Sequence, residues 1–308
     1  MRFLVLPILL FVAFSSSAQS DLPTFIPADG LVGWWPFNGN ANDKSGFNNN
    51  GVASNTSLTT DRFGNINAAY SFNGFNSMIE VADAASLRCR RLTISAWVQC
   101  TNTSVGNQIL YKGSRTTANA EGYALTLDNT GSPFSAAKLG SNCVRGVGWL
   151  GPGNGASIDT AAWVHFVVTY DGDSSRLYKN GILETSGAFP GLIDSCAGGG
   201  LRFGYDHNSF SSSTGNPFNG RIDDIGIWNR ALSVEEITQL NTATASDCGY
   251  GKLGVNICNP QRNLHVKDVM RLEPRTTAPG NAAEGDLYYD ATLHKLRVYD
   301  GTTWQNCW

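Results

Sequence analysis

The sequence has few charged side chains and no excess of positive ones. Charged residues make up 15% of the 308 positions, and the formal net charge is −3. A protein that binds DNA or RNA needs a basic stripe or patch that neutralises phosphates. The composition therefore argues against a nucleic-acid partner.

A second long apolar run is also missing. The first, Phe3–Phe14, is shorter than the roughly 20 residues that span a bilayer. It follows Arg2 and precedes the small residues Ser15–Ala18, which is the order of a cleavable secretion signal. We expect residues 1–18 to be a signal peptide that is cut after Ala18. The mature protein is then expected to be secreted or held at the cell surface, without a transmembrane segment.

The seven cysteines all follow this signal, and their odd number leaves at least one thiol free or paired with another chain. Cys89 and Cys100 flank the predicted strand Leu92–Gln99. A strand rises about 3.3 Å per residue, so their Cα atoms are too far apart for a disulfide. Export makes disulfides plausible elsewhere. We expect one between Cys143 and Cys196, and one among Cys248, Cys258 and Cys307.

Glycine, by contrast, is abundant, with 34 positions, and it separates short segments of β-branched and aromatic residues. Trp163–Tyr170 and the alternating Leu92–Val98 are typical of strands. Asp171-Gly172 and Asn180-Gly181 are strong hairpin signals on either side of another short strand. Further strands are predicted at Leu31–Phe37, Ala69–Phe72, Met78–Val81, Gln108–Lys112, Tyr123–Leu127, Leu201–Tyr205 and Arg221–Trp228.

Helix is almost absent from the pattern. The exception is a capping box formed by Ser233 and Glu236, which opens a short helix to about Leu240. Many short strands with one helical turn predict an all-β protein, a two-sheet antiparallel jelly-roll β-sandwich. The tripeptide Phe-Asn-Gly occurs at Phe37, Phe72 and Phe218, each close to a strand that we expect near a sheet edge.

The end of the chain has a different character. Residues 242–252 are a predicted linker, and residues 253–308 are a predicted small β tail. The tail contains a clear hairpin, Asp286–Asp290 with Lys295–Tyr299. A unit of roughly 60 residues buries too little surface to be comfortably stable alone. Oligomerisation, or docking onto another surface, would bury more of the tail and stabilise it.

Several segments resemble a known family. Leu31–Phe37, Ala69–Gly74, Trp163–Gly172 and, most specifically, Phe218–Leu232 resemble laminin-G-like, concanavalin-A-like lectin domains, in the family's order. The domain is placed at residues 25–241. The resemblance implies a jelly roll and frequently a bound calcium ion. Through segments such as Leu253–Asn256, Ala282–Asp286 and Val298–Trp304, the tail resembles the stalk segments of tail fibres and secreted adhesins. These segments are often trimeric, so a homotrimer through the tail is one expectation.

A calcium ion would need six to eight oxygen ligands. Asn38 and Asp43 offer such oxygens on one loop, and the resemblance implies that the ion ties this segment to the closing strand, which offers Asp223 and Asp224. We therefore expect a structural Ca²⁺ held by Asn38, Asp43, Asp223 and Asp224. The alternative is that these residues only form turns.

Relatives on this fold also include glucanases, which need two carboxylates flanking the scissile bond. Their acids lie at alternate positions of one strand, and the predicted sandwich has no such run. In the tail, Glu284-Gly-Asp286 begins the pattern, but tyrosines at 288 and 289 occupy the positions that acids would need. The sequence therefore predicts a protein that is not an enzyme.

Aromatic side chains in polar loops are the best candidates for ligand contact, since sugars bind aromatic faces together with a few polar groups. Trp149 lies in a glycine-rich stretch, and Tyr205 and Phe210 lie in a polar loop. We predict a binding protein that recognises a glycan or an extracellular protein, for instance in adhesion. The alternatives are a purely structural matrix or stalk component and, less favoured, a glycoside hydrolase or its carbohydrate-binding module.

Overall fold

A computed structural model describes residues 22–102, 107–114, 120–128, 130–137, 157–160, 162–194, 198–206, 216–243, 253–255, 264–266, 272, 274–280 and 282–307. The predicted signal peptide, residues 1–18, lies outside these ranges. The elements are β1 Leu31–Trp35, β2 Gly51–Ser54, β3 Ser57–Thr59, β4 Ala69–Asn73, β5 Met78–Val81, β6 Leu92–Cys100, β7 Asn107–Ser114, β8 Ala120–Leu127, β9 Pro133–Ala137, β10 Val164–Tyr170, β11 Ser174–Lys179, β12 Ile182–Ala188, β13 Leu201–Phe203, β14 Asn219–Trp228, α1 Val234–Thr242, β15 Leu253–Val255, β16 Leu264–Val266, β17 Leu287–Asp290, β18 Lys295–Tyr299 and β19 Trp304–Asn306.

Two antiparallel sheets form the body of the protein. Sheet A has the order β12-β11-β10-β6-β14-β4-β3, and β1 also pairs with β14. The long strand β14 binds β4 along its first half and β1 along its second half. Sheet B has the order β2-β5-β13-β7-β8-β9. This arrangement confirms the predicted two-sheet sandwich.

The core lies between the two sheets. Alternate residues of β6 and β10, such as Ile94 and Phe166, meet Leu110 and Phe203 of sheet B in one buried cluster. The residues between them point to the outer face of each sheet, as the two-residue period of a strand requires. The alternation that predicted the strands therefore also predicted which side chains form the core.

A second apolar cluster covers part of the outer face of sheet A. The N-terminal residues Phe25 and Ile26 pack there beside Ile237 and Leu240 of α1. The helix begins as predicted, because Ser233 Oγ accepts a hydrogen bond from the Glu236 N–H and Glu236 accepts one from the Ser233 N–H. The N-terminal segment and α1 therefore pack against the same part of the outer face of sheet A.

The predicted strands are confirmed to within a few residues. The strands β2, β3, β9 and β19 were not predicted, and β12 was implied only by the hairpin signal at Asn180-Gly181. One placement was wrong. The Phe-Asn-Gly copy at Phe218 opens β14, which lies inside sheet A rather than near an edge. There Asn219 and Gly220 pair with Asn73 and Phe72 of the second copy, so the two tripeptides face each other across neighbouring strands.

Cys89 and Cys100 are both buried and free, so they do not form the bond with each other that the spacing argument excluded, and Cys307 is free and exposed. The other cysteines of the predicted pairs lie outside the described residues. The tail contains a parallel pair, β15 with β16, and the predicted hairpin β17–β18, extended by β19. Among the described residues, no helix is long and apolar enough to cross a membrane.

Candidate functional site

Several strand ends of both sheets meet at one end of the sandwich. We call the described residues there the distal loops, and they are 73–77, 100–102, 107–108, 204–206 and 216–219. Asparagine side chains hold them together. The Asn219 N–H donates to Asn107 Oδ1 over 3.0 Å, Thr101 Oγ1 donates to Asn219 Oδ1 over 2.8 Å, and Asn107 Nδ2 donates to the Asn102 carbonyl over 2.7 Å. These bonds join the end of β6 to the starts of β7 and β14.

The predicted contact residue Tyr205 lies in the distal loops, directly after β13. The strand leaves sheet B at Gly204, whose φ of +80° is one that other residues rarely adopt. Asp206 is fully buried and accepts hydrogen bonds from the Asn216 N–H at 2.7 Å and from Asn216 Nδ2 at 3.3 Å. Tyr205 is half-buried between these two fixed residues. Its backbone is therefore held while part of its side chain faces solvent.

A second aromatic of the distal loops is Phe75, which is 76% exposed. Asn73 Oδ1 accepts hydrogen bonds from the N–H groups of Phe75 and Asn76 at 2.9 and 3.0 Å, and this tight turn leaves the phenyl ring outside. Phe218 connects the two aromatics, since its carbonyl accepts from the Gly74 N–H and its own N–H donates to the Gly204 carbonyl. Gly74 and Gly204 therefore both bind Phe218, and each of these glycines directly precedes one of the two aromatics, Phe75 and Tyr205.

The sequence did not indicate Phe75, because its exposure depends on the turn that Asn73 closes after β4. Phe72, the residue before Asn73, is buried. Trp149 and Phe210, the other two predicted contact residues, lie outside the described residues. Of the three aromatics predicted to touch a ligand, Tyr205 is the one whose surroundings can be described.

Asp43, a predicted calcium ligand, is already surrounded by hydrogen-bond donors. One carboxylate oxygen accepts from the N–H groups of Trp34 and Ser45, and the other accepts from Ser45 Oγ and the Asn49 N–H, at 2.8–3.0 Å. Asp43 therefore closes the turn after β1 against that strand. Asn38, the other predicted ligand on this loop, is half-buried.

Asp223 and Asp224 occupy a different environment, on a bulge of β14 where Asp224 has a φ of +46°. Both carboxylates bind the guanidinium of Arg62, with Nη1–Oδ2 distances of 3.2 Å to Asp223 and 2.5 Å to Asp224. Burial and the charge of Asp224 raise the pKa of Asp223 well above its ordinary value, against the opposing charge of Arg62. The cation beside this pair of acids is therefore an arginine.

Aromatic rings enclose the same guanidinium. Arg62 Cζ lies 4.3 Å from the ring centroid of Phe63 and 4.5 Å from that of Trp97. Trp97 in turn stacks on His165, with centroids 4.8 Å apart. Burial, helped by the charge of Arg62, lowers the pKa of His165 to about 3, so this ring is neutral at physiological pH. The cluster forms a stack of side chains across β10, β6 and β14.

The four predicted ligands do not fit one calcium site in this arrangement. Asp43 accepts four hydrogen bonds from β1 and its own turn, and Asp223 and Asp224 both bind Arg62 as their shared counter-charge. Within the described ranges, no three His, Cys, Asp or Glu side chains are grouped to hold a metal ion. Calcium binding by the chain stays a prediction. If it is correct, a chelator lowers the melting temperature and added Ca²⁺ restores it; equal melting temperatures in both buffers would contradict it.

Hydrolysis of a glycosidic bond would need two carboxylates on either side of the substrate. Among the residues that we call the distal loops, Asp206 is the one acid, and it is buried and bound to Asn216. The Asp223–Asp224 pair is likewise buried against Arg62. Exposed aromatics with fixed amides can contact a ligand, and this part of the chain offers no pair of acids to cleave one.

Comparison with known proteins supports the fold. A model of the concanavalin A-like lectin/glucanases superfamily matches residues 72–238, more than half of the 308 residues. No curated protein matches the sequence.

Solved structures with the same fold are distant in sequence. The receptor binding domain of the botulinum neurotoxin C/D mosaic serotype is 18% identical, with a TM-score of 0.51, over 71% of this chain and 52% of that one. The binding domain of botulinum neurotoxin serotype G is 17% identical, with a TM-score of 0.51, over 70% and 51%. A sialidase mutant from Trypanosoma rangeli with trans-sialidase activity is 17% identical, with a TM-score of 0.50, over 70% and 33%. This chain therefore spans about half the length of the two toxin domains and a third of the sialidase.

Proposed function

We propose that this chain, which belongs to the concanavalin A-like lectin/glucanases superfamily, is a secreted or cell-surface protein that binds a glycan at its distal loops without cleaving it. The observation that carries the proposal is the pair of aromatics at one end of the sandwich. Phe75 is mostly exposed, and Asn73 binds its N–H. Tyr205 is half-buried between Gly204, which binds Ile109 and Phe218, and Asp206, which binds Asn216. Glycan sites combine aromatic faces with a few oriented polar groups in this way.

The similar solved structures support a binding function, because two of them are themselves binding domains. The sialidase shows that the same fold also occurs in an enzyme. We favour binding because Asp206, the one acid of the described distal loops, is buried and bound to Asn216. An assay of reducing-sugar release tests this part, and measurable turnover would contradict it.

Replacing Tyr205 with alanine is expected to weaken glycan binding by about tenfold or more. A factor of ten corresponds to about 1.4 kcal/mol, and the burial of one aromatic side chain contributes on that scale. A glycan array identifies the ligand, and titration of the wild type and of Tyr205→Ala gives the ratio of dissociation constants. Phe75→Ala is expected to act in the same direction.

Phe47→Ala is the matched control, since Phe47 is also exposed, at 54%, but lies in the turn that Asp43 closes. Its binding should equal that of the wild type. A binding site elsewhere is indicated if Tyr205→Ala and Phe75→Ala bind as the wild type does. A blank array with folded protein would instead favour the structural matrix or stalk component that the sequence left open.

The tail is expected to serve assembly or attachment, and the homotrimer expected from its resemblance to stalk segments is part of this proposal. Export also belongs to the proposal and not to the findings, because the predicted signal peptide, residues 1–18, lies outside the described residues. Mass spectrometry of the protein recovered from the culture medium would test the predicted cut after Ala18.

A further inference from the structure

Asn76, the residue after Phe75 in the distal loops, has an amide that the protein holds in one orientation. Its Oδ1 accepts a hydrogen bond from Asn73 Nδ2 over 2.9 Å, and its backbone carbonyl accepts one from Asn55 Nδ2 over 3.2 Å. Because the amide is planar, the bond to Oδ1 also fixes where Nδ2 points. Asn76 is exposed, and its Nδ2 donates to no acceptor among the described residues. This side chain therefore presents an oriented, uncharged N–H donor to solvent.

Asn219, at the start of β14, presents a second amide of the same kind. Its Oδ1 accepts a hydrogen bond from Thr101 Oγ1 over 2.8 Å, while its Nδ2 has no acceptor within the part of the chain that the structure describes. The side chain packs on Gly74, where a Cβ would lie 2.9 Å from Asn219 Nδ2. This donor therefore lies against the residue that precedes Phe75, and the Asn76 donor belongs to the residue that follows it.

Charged side chains are scarce around these two donors. The described distal loops contain no lysine or arginine, and their one acid, Asp206, is fully buried. In the sequence, segments 103–106 and 207–215, which join parts of these loops, also contain no Lys, Arg, Asp or Glu. Arg221, the next basic residue along β14, donates to Thr60 Oγ1 over 3.1 Å. Thr60 follows the end of β3 that lies farther from the distal loops, so Arg221 reaches away from them.

An aromatic ring between neutral donors suits an uncharged sugar. The hydroxyl and ring oxygens of a sugar accept hydrogen bonds from amide N–H groups, and its C–H face packs on an aromatic ring. A carboxylate or sulfate in the same place would lose hydrating water without gaining an opposite charge, which costs free energy. Proteins that recognise such anions typically do so with arginine or lysine.

We infer that the distal loops bind an uncharged glycan, with Phe75 against one sugar ring and Nδ2 of Asn76 and Asn219 donating to sugar oxygens. The inference rests on the proposed function, because it names the class of glycan that the same loops bind. It also assigns the choice of ligand to two asparagines outside the set of aromatics. Binding of this kind should not depend on ionic strength, since salt screens interactions between charges.

An array of hexose oligomers, each printed beside the uronic acid oligomer of the same linkage, tests the class of ligand. The two members of a pair differ by a carboxylate in place of a CH2OH group on each sugar. The neutral member should bind at least about tenfold more tightly than the acidic one. Titration of the best neutral oligomer should give the same dissociation constant at low and at high salt.

Asn76→Asp and Asn219→Asp test the two donors, because each replaces an N–H donor with a carboxylate of almost the same shape. Each should weaken binding of the neutral oligomer by about tenfold. Asn48→Asp is the matched control, since it adds the same charge at an exposed asparagine in the turn that Asp43 closes. The control should bind as the wild type does. Melting temperatures show which variants are folded, and either of the first two suffices if the other is not.

The outcomes separate this inference from the proposed function. Equal or tighter binding of the uronic acid oligomers, or an affinity that falls as salt rises, would overturn the uncharged class and leave glycan binding in place. Wild-type affinity in the folded Asn76→Asp and Asn219→Asp variants would overturn the role of the two amides. A blank array with folded protein would overturn the proposed function and this inference together.

Discussion

Replacing Arg62 with methionine is expected to lower the free energy of unfolding by about 3–5 kcal/mol, the range for breaking a buried ion pair. The guanidinium is the cation bound by Asp223 and Asp224, and both of these carboxylates are buried. Without it, two neighbouring acids remain in the sandwich with no opposite charge. Urea denaturation of the two proteins, followed by tryptophan fluorescence, measures the difference.

The cost of this substitution should also depend on pH. Loss of Arg62 raises the folded pKa values of Asp223 and Asp224 further, so the folded variant holds protons that the unfolded chain releases near pH 4. Its stability is therefore highest at acid pH and falls as pH rises through the folded pKa values. The difference from the wild type should grow from pH 5 to pH 8. A pH-independent difference would indicate that Arg62 contributes mainly by packing.

Arg176→Met is the matched control for the same change of residue. Arg176 binds Asp171 at 2.9 Å, but both side chains are 37% exposed. Exposed pairs contribute about 0–1 kcal/mol, so this variant should unfold near the wild-type midpoint. A triple variant, Arg62→Met with Asp223→Asn and Asp224→Asn, removes the stranded charges and should recover part of the loss.

Replacing Gly204 with alanine is expected to cost about 2–5 kcal/mol. A left-handed backbone costs about 1–2 kcal/mol for an L-residue, and overpacking a core adds about 1–3 kcal/mol. Gly204 has a φ of +80°, and a Cβ there would lie 2.1 Å from Cδ1 of the buried ring of Phe72. Because its N–H and carbonyl bind Ile109 and Phe218, the backbone cannot move away without breaking the distal loops.

Gly39→Ala separates the cost of the left-handed backbone from the cost of overpacking the core. Its φ of +82° is almost the same, and a Cβ there would have no atom within 4 Å. Gly39→Ala should therefore show the backbone cost alone, about 1–2 kcal/mol, in the same thermal or urea unfolding measurement. If Gly204→Ala and Gly39→Ala lost the same unfolding free energy, the Phe72 ring would have to move aside for the added methyl group.

The sequence predicted those features that depend on neighbours along the chain. Strand alternation fixed the two faces of β6 and β10, and the capping box of Ser233 and Glu236 fixed the start of α1. Both signals are local, since a strand repeats every two residues and a capping box spans four. The fold of the sandwich could therefore be predicted with its main boundaries.

The charge cluster could not be predicted in the same way. Arg62 lies 161 positions before Asp223, in a loop whose composition gives no sign of the contact. The family resemblance, together with two acids on the closing strand, implied a calcium ion. In the structure, the cation bound to these acids is Arg62. Phe75 was missed for a related reason, because its exposure depends on how Asn73 bends the chain after β4.

The position of β14 gives the sandwich a mechanical property. The strand begins in the distal loops at Asn219 and ends at Trp228, and the chain then passes through α1 to the tail. A ligand held at the loops while the tail is held elsewhere would pull along β14. Because β6 on one side and β4 and β1 on the other run antiparallel to it, their hydrogen bonds would be loaded together in shear rather than opened one at a time. We therefore expect the sandwich to resist a force applied along β14 between a bound ligand and the tail.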